Sequence, residues 1–344
     1  MISGAAQADV GCLVISARRG EFETGFEKGG QTREHALLAK TLGIRFLVVV
    51  INKMDDHTVE WSEERYNSCV QKLKPYLKNC GYAIKKDVRF VPISGLTGDN
   101  ILNEVSEERC PWWKKACAEG AHNTTTSTLI STLDSFVITD RDAEAPLRVP
   151  CLDRYMERGC VMIGKVESGT LRAGDKIAVL PTKKTATVEA IYADEKKIKS
   201  ARPGENVLIK FSLNIDEIQK GYVISSIPRP CLTTCDFIAQ LAIIDMPECR
   251  PIFTSGYDCI VHIHTAEIEV TCISLVSVTD RKGNETKKRF ASQGEMCLAH
   301  LRVPLLTCME PYANMPALGR VTLRDEQRTI AIGKVVKLLK KKAK

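Results

Sequence analysis

Uninterrupted apolar runs alternate with helix-like segments over the first third of this 344-residue chain. Residues 10–17 (VGCLVISA), 45–52 (RFLVVVIN) and 88–94 (VRFVPIS) are apolar along nearly their whole length. Segments 29–43 and 61–79, which lie between them, carry apolar residues at helical spacing. Strands that are apolar on both faces and are joined by helices predict a parallel sheet covered on both sides. We therefore expect a doubly wound α/β region.

The ends of these helices carry signals of their own. Gly43 follows the first helical segment, where glycine favours helix termination. Ser62 stands at the start of the second segment, where its hydroxyl can accept a backbone N–H. A last helix is expected between Ser127 and Phe136, and residues 140–150 (DRDAEAPLRVP) mix charge and proline as a linker does. We therefore place a domain boundary after this helix.

The second half of the chain has a different pattern. Short runs rich in Val, Ile and Thr are separated by turn signals such as RPGE at 202–205, which is typical of antiparallel strands. A proline-containing break at 227–231 divides these runs into two sets. The sequence therefore predicts an α/β domain over 1–140 and two antiparallel β-barrels, over 147–228 and 232–341.

Composition argues against several classes of protein. No apolar stretch is long enough to cross a bilayer and the N-terminus lacks the order of a signal peptide, so we expect a cytoplasmic protein. The fourteen cysteines are scattered along the chain, which indicates buried, reduced thiols. Cys231 and Cys235 have no second pair at zinc-finger spacing, so no metal site is predicted. The net charge of +7 is modest, but six lysines between Lys334 and Lys344 suit either ribosomal RNA or a solvated tail.

The strongest local signal is Asn52-Lys53-Met54-Asp55 at the carboxyl end of the second strand, where open α/β sheets bind ligands. Guanine presents a ring N–H beside an amino group, and the carboxylate of Asp55 can accept both. Asn52 can donate to the base edge or tie neighbouring loops together, and the aliphatic stem of Lys53 can lie along the base. We expect Met54 to be free to vary.

The third strand ends in Ser94-Gly95-Leu96, which we expect to complete the same site. A glycine lets the backbone approach closely enough for its N–H groups to reach the guanine oxygen, and Ser94 can hold Asp55 in place. The alternative is a polar turn that only ends a buried strand. The predicted guanine-binding residues are thus Asn52, Lys53, Asp55, Ser94, Gly95 and Leu96.

Residues 18–35 (RRGEFETGFEKGGQTREH), together with the NKMD motif, resemble translation elongation factor 1-alpha and its relatives, the translational GTPases. The resemblance covers nearly the whole chain. It implies a G domain followed by two β-barrels, GTP and GDP as ligands, Mg²⁺ in the complete family protein, and hydrolysis of GTP to GDP and phosphate. Segments 256–265 and 319–334 are most similar to the branch that works in translation termination, which carries the class-1 release factor to the ribosome at stop codons. No membrane or DNA partner is expected.

The resemblance also implies a docking surface for the class-1 release factor on the last barrel. Arg324 is suited to a charge-assisted contact across an interface, although an ion pair within the chain is the alternative. His262 and His264 would fall on one face of a strand, and without a third ligand we interpret them as core or interface residues. The docking residues implied by the family motif are Gly319, Arg320, Leu323, Arg324 and Asp325.

The glycine-rich loop ending in Gly-Lys-Ser/Thr that holds phosphates in such GTPases is not found in the sequence. The nearest match, 159–166 (GCVMIGKV), ends in valine and is interpreted as a barrel strand. Residues 1–8 resemble the helix just after the family's Asp-x-x-Gly motif, so we expect the P-loop and switch segments to be absent, with residues 10–15 as an exposed sheet edge. Residues 114–126 are interpreted as a polar insertion. We assign no catalytic residue, and expect binding of GTP at about millimolar strength or weaker without hydrolysis.

Other functions remain open at this point. The chain could be elongation factor 1-alpha itself or the ribosome-rescue GTPase that pairs with Pelota. It could also be an adaptor that binds the class-1 release factor without nucleotide. A dinucleotide oxidoreductase is disfavoured because no strand leads into Gly-x-Gly-x-x-Gly.

Overall fold

The computed structural model describes residues 8–27, 30–120, 126–138, 141–157, 159–280, 284–326 and 328–339. The chain divides into two compact units, 1–139 and 140–344. Three predictions therefore lie wholly or partly outside the described residues: the interpretation of the first eight residues, part of the polar insertion, and the lysine-rich C-terminus. No helix in the described ranges is long and apolar enough to span a membrane.

A parallel sheet of three strands forms the centre of the first unit. Strand β1 is Val10–Ser16, β2 is Phe46–Asn52 and β3 is Val88–Pro92, and β2 lies between the other two. Both pairings are parallel, and the side chains of residues 47–51 are buried because β2 is covered on both faces. This sheet and its helices confirm the predicted α/β class.

Six helices accompany the sheet within the described residues. Three of them match segments predicted from the sequence, namely α2, α3 and α6. Helices α1, α4 and α5 were not predicted, and α5 takes up part of the supposed polar insertion while burying Trp113 in the core of this unit. The helices are α1 (Glu21–Phe26), α2 (Gln31–Leu42), α3 (Glu63–Asn79), α4 (Ile84–Asp87), α5 (Pro111–Ala118) and α6 (Leu129–Asp134).

The two predicted helix-end signals are confirmed. Gly43 has a φ of 105°, and its N–H donates to the carbonyls of Ala39 and Lys40 at the end of α2. Ser62 Oγ accepts the N–H of Arg65 at 3.3 Å and so caps the start of α3.

Strand β1 has one neighbouring strand, β2, among the described residues. Its outward side chains meet solvent, with Val14 at 58% exposure and Cys12 also exposed. Within the described part of the chain, β1 is therefore the apolar sheet edge that the sequence predicts.

The second unit begins with a closed antiparallel barrel. Strands follow one another around it in the order β11, β5, β4, β12, β7, β8, and β8 pairs again with β11. Since β4 begins at Arg148, the last residues of the supposed linker are strand. Segment 159–166 lies in and beside β5, as predicted, with Cys160 and Met162 in the barrel core. The strands are β4 (Arg148–Met156), β5 (Cys160–Lys165), β6 (Leu171–Arg172), β7 (Lys176–Leu180), β8 (Lys184–Ala193), β9 (Lys196–Ile198), β10 (Ser200–Ala201), β11 (Asn206–Phe211) and β12 (Val223–Ser226).

A second closed antiparallel barrel follows in the same unit. Its strands run in the order β15, β20, β21, β13, β19, β16, and β16 pairs again with β15. A short helix, α7 (Pro316–Gly319), leads into β20. Two antiparallel barrels were predicted, and both are present. The strands are β13 (Thr233–Ile243), β14 (Phe253–Thr254), β15 (Asp258–Ile263), β16 (Ala266–Thr279), β17 (Glu285–Thr286), β18 (Phe290–Ala291), β19 (Met296–Cys308), β20 (Arg320–Asp325) and β21 (Arg328–Leu339).

Two polar contacts join the barrels. Arg148 Nε donates to Glu310 Oε1 at 2.7 Å, and the two side chains are only 6% and 9% exposed. Thr265 Oγ1 donates to the carbonyl of Cys151 at 2.7 Å. Because these contacts are buried, the barrels pack as one body within the second unit.

All fourteen cysteines are unpaired thiols, and nine of them are buried. Burial raises the pKa of Cys259, Cys272 and Cys297 to about 12. These thiols therefore stay protonated and unreactive near neutral pH.

Candidate functional site

The loops that follow β1, β2 and β3 meet at Asn52, the last residue of β2. Asn52 Oδ1 accepts the N–H of Gly95 at 2.8 Å and the N–H of Lys53 at 2.7 Å. The Asn52 carbonyl accepts the N–H of Ala17 at 2.8 Å. A Cβ at position 95 would lie 3.3 Å from the Asn52 amide, so this contact leaves little room for a side chain. The structure thus brings the NKMD and Ser-Gly-Leu turns together.

Lys53 occupies a left-handed backbone conformation, with a φ of 62°. Such a conformation costs a residue other than glycine about 1 kcal/mol and is found mostly where surrounding contacts enforce it. Its ammonium lies 2.7 Å from Glu21 Oε2 on α1, and this hydrogen bond lowers the pKa of Glu21. The pair fixes the direction of the lysine stem above the turn.

Met54 is not free to vary, contrary to our expectation. Its side chain is fully buried, its N–H donates to the Ile93 carbonyl at 3.2 Å, and its carbonyl accepts the N–H of Trp61 at 2.8 Å. The sequence could not reveal this because alternation along a turn does not report which side chain faces the core. Met54 anchors the turn on which its polar neighbours stand.

Asp55 is partly exposed, and its carboxylate makes no hydrogen bond or ion pair with any described residue. We expected Ser94 to orient it. Ser94 Oγ instead accepts the N–H of Thr97 at 3.1 Å, and the residue is fully buried, so it shapes its own turn. The carboxylate of Asp55 is left available to two adjacent donors.

The Gly95 N–H, which we expected to face guanine, is donated to Asn52 and is therefore occupied. The next amide, that of Leu96, has no partner in the described ranges, and the Leu96 side chain is 87% exposed. A carboxylate acceptor, an unused N–H, an exposed apolar side chain and a lysine stem are the groups that a flat guanine base requires. The residues present fit guanine.

One supporting residue was missed by sequence reasoning. Arg65, in the first turn of α3, donates from Nε to the carbonyl of Ala17 at 2.6 Å and from Nη2 to that of Arg18 at 3.2 Å. Its Nη1 also lies 3.0 Å from Glu23 Oε1, and this bond lowers the pKa of Glu23 to about 2. Arg65 thus holds the loop after β1 beside Asn52. No local pattern marks it, since its partners lie more than forty residues earlier.

The predicted docking residues divide into buried and accessible groups. Gly319 is buried, and a Cβ there would lie 2.5 Å from Tyr312 Cα, so the close backbone approach requires glycine. Leu323 is fully buried in the core of the second barrel. These two residues can shape a docking surface but cannot contact a partner through their side chains.

The other three docking residues are partly exposed. The Arg320 guanidinium lies 5.8 Å from the centre of the Tyr312 ring, in a cation–π contact. Asp325 Oδ2 accepts the hydroxyl of Tyr257 at 2.6 Å. Arg324, in β20, stands level with Ile260 of β15. Arg320, Arg324 and Asp325 are therefore the members of the predicted set whose side chains reach the protein surface.

The two histidines do not share a strand face. His262 lies in β15, whereas His264 comes after the end of the strand with a φ of 44°, which directs its ring elsewhere. His264 Nε2 lies 2.9 Å from the carbonyl oxygen of Cys308, which can only accept, so Nε2 carries the proton. Burial lowers the pKa of His264 to about 4. No cluster of potential metal ligands occurs in the part of the chain that the structure describes.

Three family models match the chain. They are the elongation factor Tu GTP binding domain over residues 1–139, elongation factor Tu domain 2 over 159–225, and the GTP-eEF1A C-terminal domain-like model over 236–336. A sheet edge carrying the joined NKMD and Ser-Gly-Leu turns, followed by two closed barrels, defines a translational GTPase.

Two curated relatives are eukaryotic peptide chain release factor GTP-binding subunits, from Schizosaccharomyces pombe at 44% identity and from Kluyveromyces lactis at 42%. This chain belongs to that family. Each comparison covers 98% of the chain, which spans about half the length of these relatives, 50% and 47% respectively.

Solved structures of translational GTPases are also similar to this chain. The structure of sup35 complexed with GDP is 42% identical, with a TM-score of 0.56, over 99% of this chain and 81% of that one. The corresponding complex with GMPPNP gives the same identity and TM-score, over 98% and 80%. Elongation factor SelB from Methanococcus maripaludis, in its apo form, is 20% identical with a TM-score of 0.67, over 99% of this chain and 67% of that one, and shares the fold.

Proposed function

We propose that this chain is the part of a translation-termination GTPase that holds the guanine base and carries the class-1 release factor to the ribosome in the cytoplasm. The observation that carries the proposal is the 2.8 Å bond from the Gly95 N–H to Asn52 Oδ1, which joins two turns around the available carboxylate of Asp55. The names of the relatives support translation termination. The family complexes with GDP and GMPPNP support a guanine nucleotide as ligand.

Each residue of the site has a role that follows from its chemistry. Asp55 accepts the ring N–H and the amino group of guanine, which excludes adenine because adenine lacks that pair of donors. The Leu96 N–H donates to the guanine oxygen, and the Leu96 side chain covers the base. The stem of Lys53 lies along the ring, while Asn52 and Ser94 with Gly95 hold the two turns in place.

The phosphates and Mg²⁺, when bound, supply most of the nucleotide affinity and the charge stabilisation for hydrolysis in this class. We assign no residue of this chain to that chemistry. The proposed parts are a partial G domain over 1–140 and barrels over 147–228 and 232–341. The second barrel would dock the class-1 release factor through Arg320, Arg324 and Asp325, on a surface shaped by Gly319 and Leu323.

The base site is tested with Asp55→Asn. We expect the 344-residue chain to bind GDP at about millimolar strength or weaker, and the variant to lose roughly tenfold or more of that affinity, since a charge-assisted hydrogen bond contributes about 1.5–3 kcal/mol. Saturation-transfer NMR on GDP measures the affinity of the parent chain and that of the variant. Glu60→Gln, at an exposed position nearby, is the control and should bind like the parent. Equal binding of ATP and GTP, or no effect of Asp55→Asn, would contradict the guanine site.

The partner is tested by calorimetric titration of the chain with a purified class-1 release factor. We expect binding to the chain and to Asp55→Asn, because the docking surface lies on the second barrel. Binding to Pelota or to aminoacyl-tRNA in place of the class-1 factor would indicate another branch of the GTPase family.

A further inference from the structure

An open groove of about 670 Å³ lies on the outside of the second barrel, along β15, β16 and β20. We propose that this groove binds a basic side chain, arginine or lysine, presented by the class-1 release factor. The inference rests on the proposed function and adds the chemistry of the contact, which the docking motif alone does not give. Its decisive residues, Glu267 and Glu269, lie outside that motif.

The groove is built from side chains in register on three neighbouring strands. Glu269 of β16 pairs with Ile260 of β15, which pairs with Arg324 of β20. Two residues further along β15, His262 pairs with Glu267 of β16. Residues 259 and 261 of β15 belong to the buried core, so the intervening positions face outward. The groove therefore has a carboxylate wall on β16 and a guanidinium wall on β20.

Charge in the groove is opposite in sign to the charge of the whole chain. Two guanidinium groups line it, those of Arg302 and Arg324, while the chain carries a net charge of +7. A locally acidic surface on a basic protein attracts a cationic group rather than repelling it. The carboxylates that line the groove number five, from Asp258, Glu267, Glu269, Asp325 and Glu326.

Three of these carboxylates already have partners. Asp258 Oδ1 accepts the hydroxyl of Thr271 at 2.6 Å, Asp325 Oδ2 accepts that of Tyr257 at 2.6 Å, and Glu326 Oε1 lies 3.4 Å from Cys249 Sγ. On the cationic side, Arg302 Nε lies 2.8 Å from Asp236 Oδ1. Of the five carboxylates, this leaves the two on β16, those of Glu267 and Glu269.

Glu267 and Glu269 are both exposed, and neither makes a hydrogen bond or an ion pair with any residue in the described ranges. Two residues apart on one face of a strand, their side chains stand roughly 7 Å from each other, which suits a guanidinium or ammonium placed between them. Partly buried Ile260 lies beside them and offers an apolar floor for the aliphatic stem of arginine or lysine. Burial lowers the pKa of His262, so its imidazole is neutral at pH 7 and does not repel a cation.

The experiment compares two pairs of charge-removing substitutions in the full 344-residue chain. The groove variant is Glu267→Gln with Glu269→Gln. The control is Asp194→Asn with Glu195→Gln, at exposed positions between β8 and β9 of the first barrel. Calorimetric titration with the purified class-1 release factor, at two ionic strengths, is expected to show at least about tenfold weaker binding for the groove variant and less than about twofold for the control. The affinity of the groove variant should also depend less on salt than that of the parent chain.

A labelled hexaarginine peptide probes the groove without the release factor. Its fluorescence anisotropy is expected to rise with the parent chain and the control, and less with the groove variant. If the parent chain binds the release factor and the groove variant binds equally well, the inference is wrong while the proposed function stands. If the parent chain fails to bind the release factor, both are wrong. Circular dichroism checks that each variant is folded.

Discussion

His264 shows how burial can set the protonation state of a residue. The residue is half-buried after the end of β15, and burial lowers its pKa from the usual 6.5 to about 4, against the opposite effect of its hydrogen bond to the Cys308 carbonyl. In the unfolded chain the imidazole takes up a proton near pH 6.5, whereas in the folded protein it stays neutral to about pH 4. Protonation therefore favours the unfolded state over that interval.

We predict that neutral His264 makes its full contribution to the free energy of unfolding above pH 6.5. This contribution should fall as the pH drops from 6.5 toward 4. Each unit of difference between the two pKa values contributes up to about 1.4 kcal/mol. His264→Asn, which tolerates the positive φ, should reduce this dependence and leave the part that His262 contributes, since burial lowers the pKa of that residue too. Urea denaturation followed by circular dichroism between pH 7 and 5, above the range where carboxylates titrate at about 4, measures it. The exposed His57→Asn serves as control, and an unchanged pH slope in His264→Asn would contradict the prediction.

At the scale of single residues, sequence reasoning placed the polar members of the candidate site but not their contacts. Asn52 and Gly95 were expected to meet, and they do. The burial of Met54 and Leu323 was not foreseen, because a motif specifies residue types without stating which side chains face the core. The Gly95 N–H donates to Asn52 Oδ1 and is therefore not available to a ligand.

At the scale of elements, segments with clear periodicity were predictable, whereas three short helices without it, α1, α4 and α5, were not. Strand β2 and helix α3 match their predicted bounds closely, since burial on both faces and an amphipathic stripe both leave a clear pattern. Helices α1 and α5 contain six and eight residues. Helix α5 depends on tertiary contacts, such as the bond from Trp113 Nε1 to the Ser127 carbonyl at 2.8 Å, which no local pattern shows.

Ser62 offers a test of one helix end. Ser62→Ala removes the acceptor for the Arg65 N–H and should lower the stability of the first unit by about 1 kcal/mol. Ser62→Asp keeps an acceptor and should lie within a few tenths of a kcal/mol of the parent. The three tryptophans, at 61, 112 and 113, all lie in the first unit, so the urea midpoint from tryptophan fluorescence reports it selectively. Equal midpoints for the alanine and aspartate variants would contradict the capping role.

At the scale of the whole molecule, the ion pair between Arg148 and Glu310, which joins the two barrels, could not be predicted from the sequence. Arg148 and Glu310 are separated by 162 positions, and each resembles an ordinary charged residue in its local sequence. Two barrels could be predicted from turn spacing, but the buried ion pair that joins them depends on the completed tertiary structure.

We predict that Glu310→Gln destabilises the second unit by about 3–5 kcal/mol, because Arg148 is left buried without its counter-ion. The double substitution Arg148→Met with Glu310→Met should recover most of the loss, since no uncompensated charge remains. Circular dichroism follows both units, whereas tryptophan fluorescence reports the first unit and should show an unchanged transition. A shift seen by circular dichroism without a matching shift in fluorescence is therefore assigned to the second unit. A double variant as unstable as the single one would contradict the account.

Ring closure in the barrels has a consequence for how the amide hydrogens exchange with solvent. The strands that form the two rings have hydrogen-bonded neighbours on both sides, whereas β1 has one among the described residues. Deuterium should therefore enter β1 early, through small local openings, and reach the ring strands only when a whole barrel opens. On this basis we expect the sheet edge beside Val14 to exchange its amide hydrogens before the strands of either ring do.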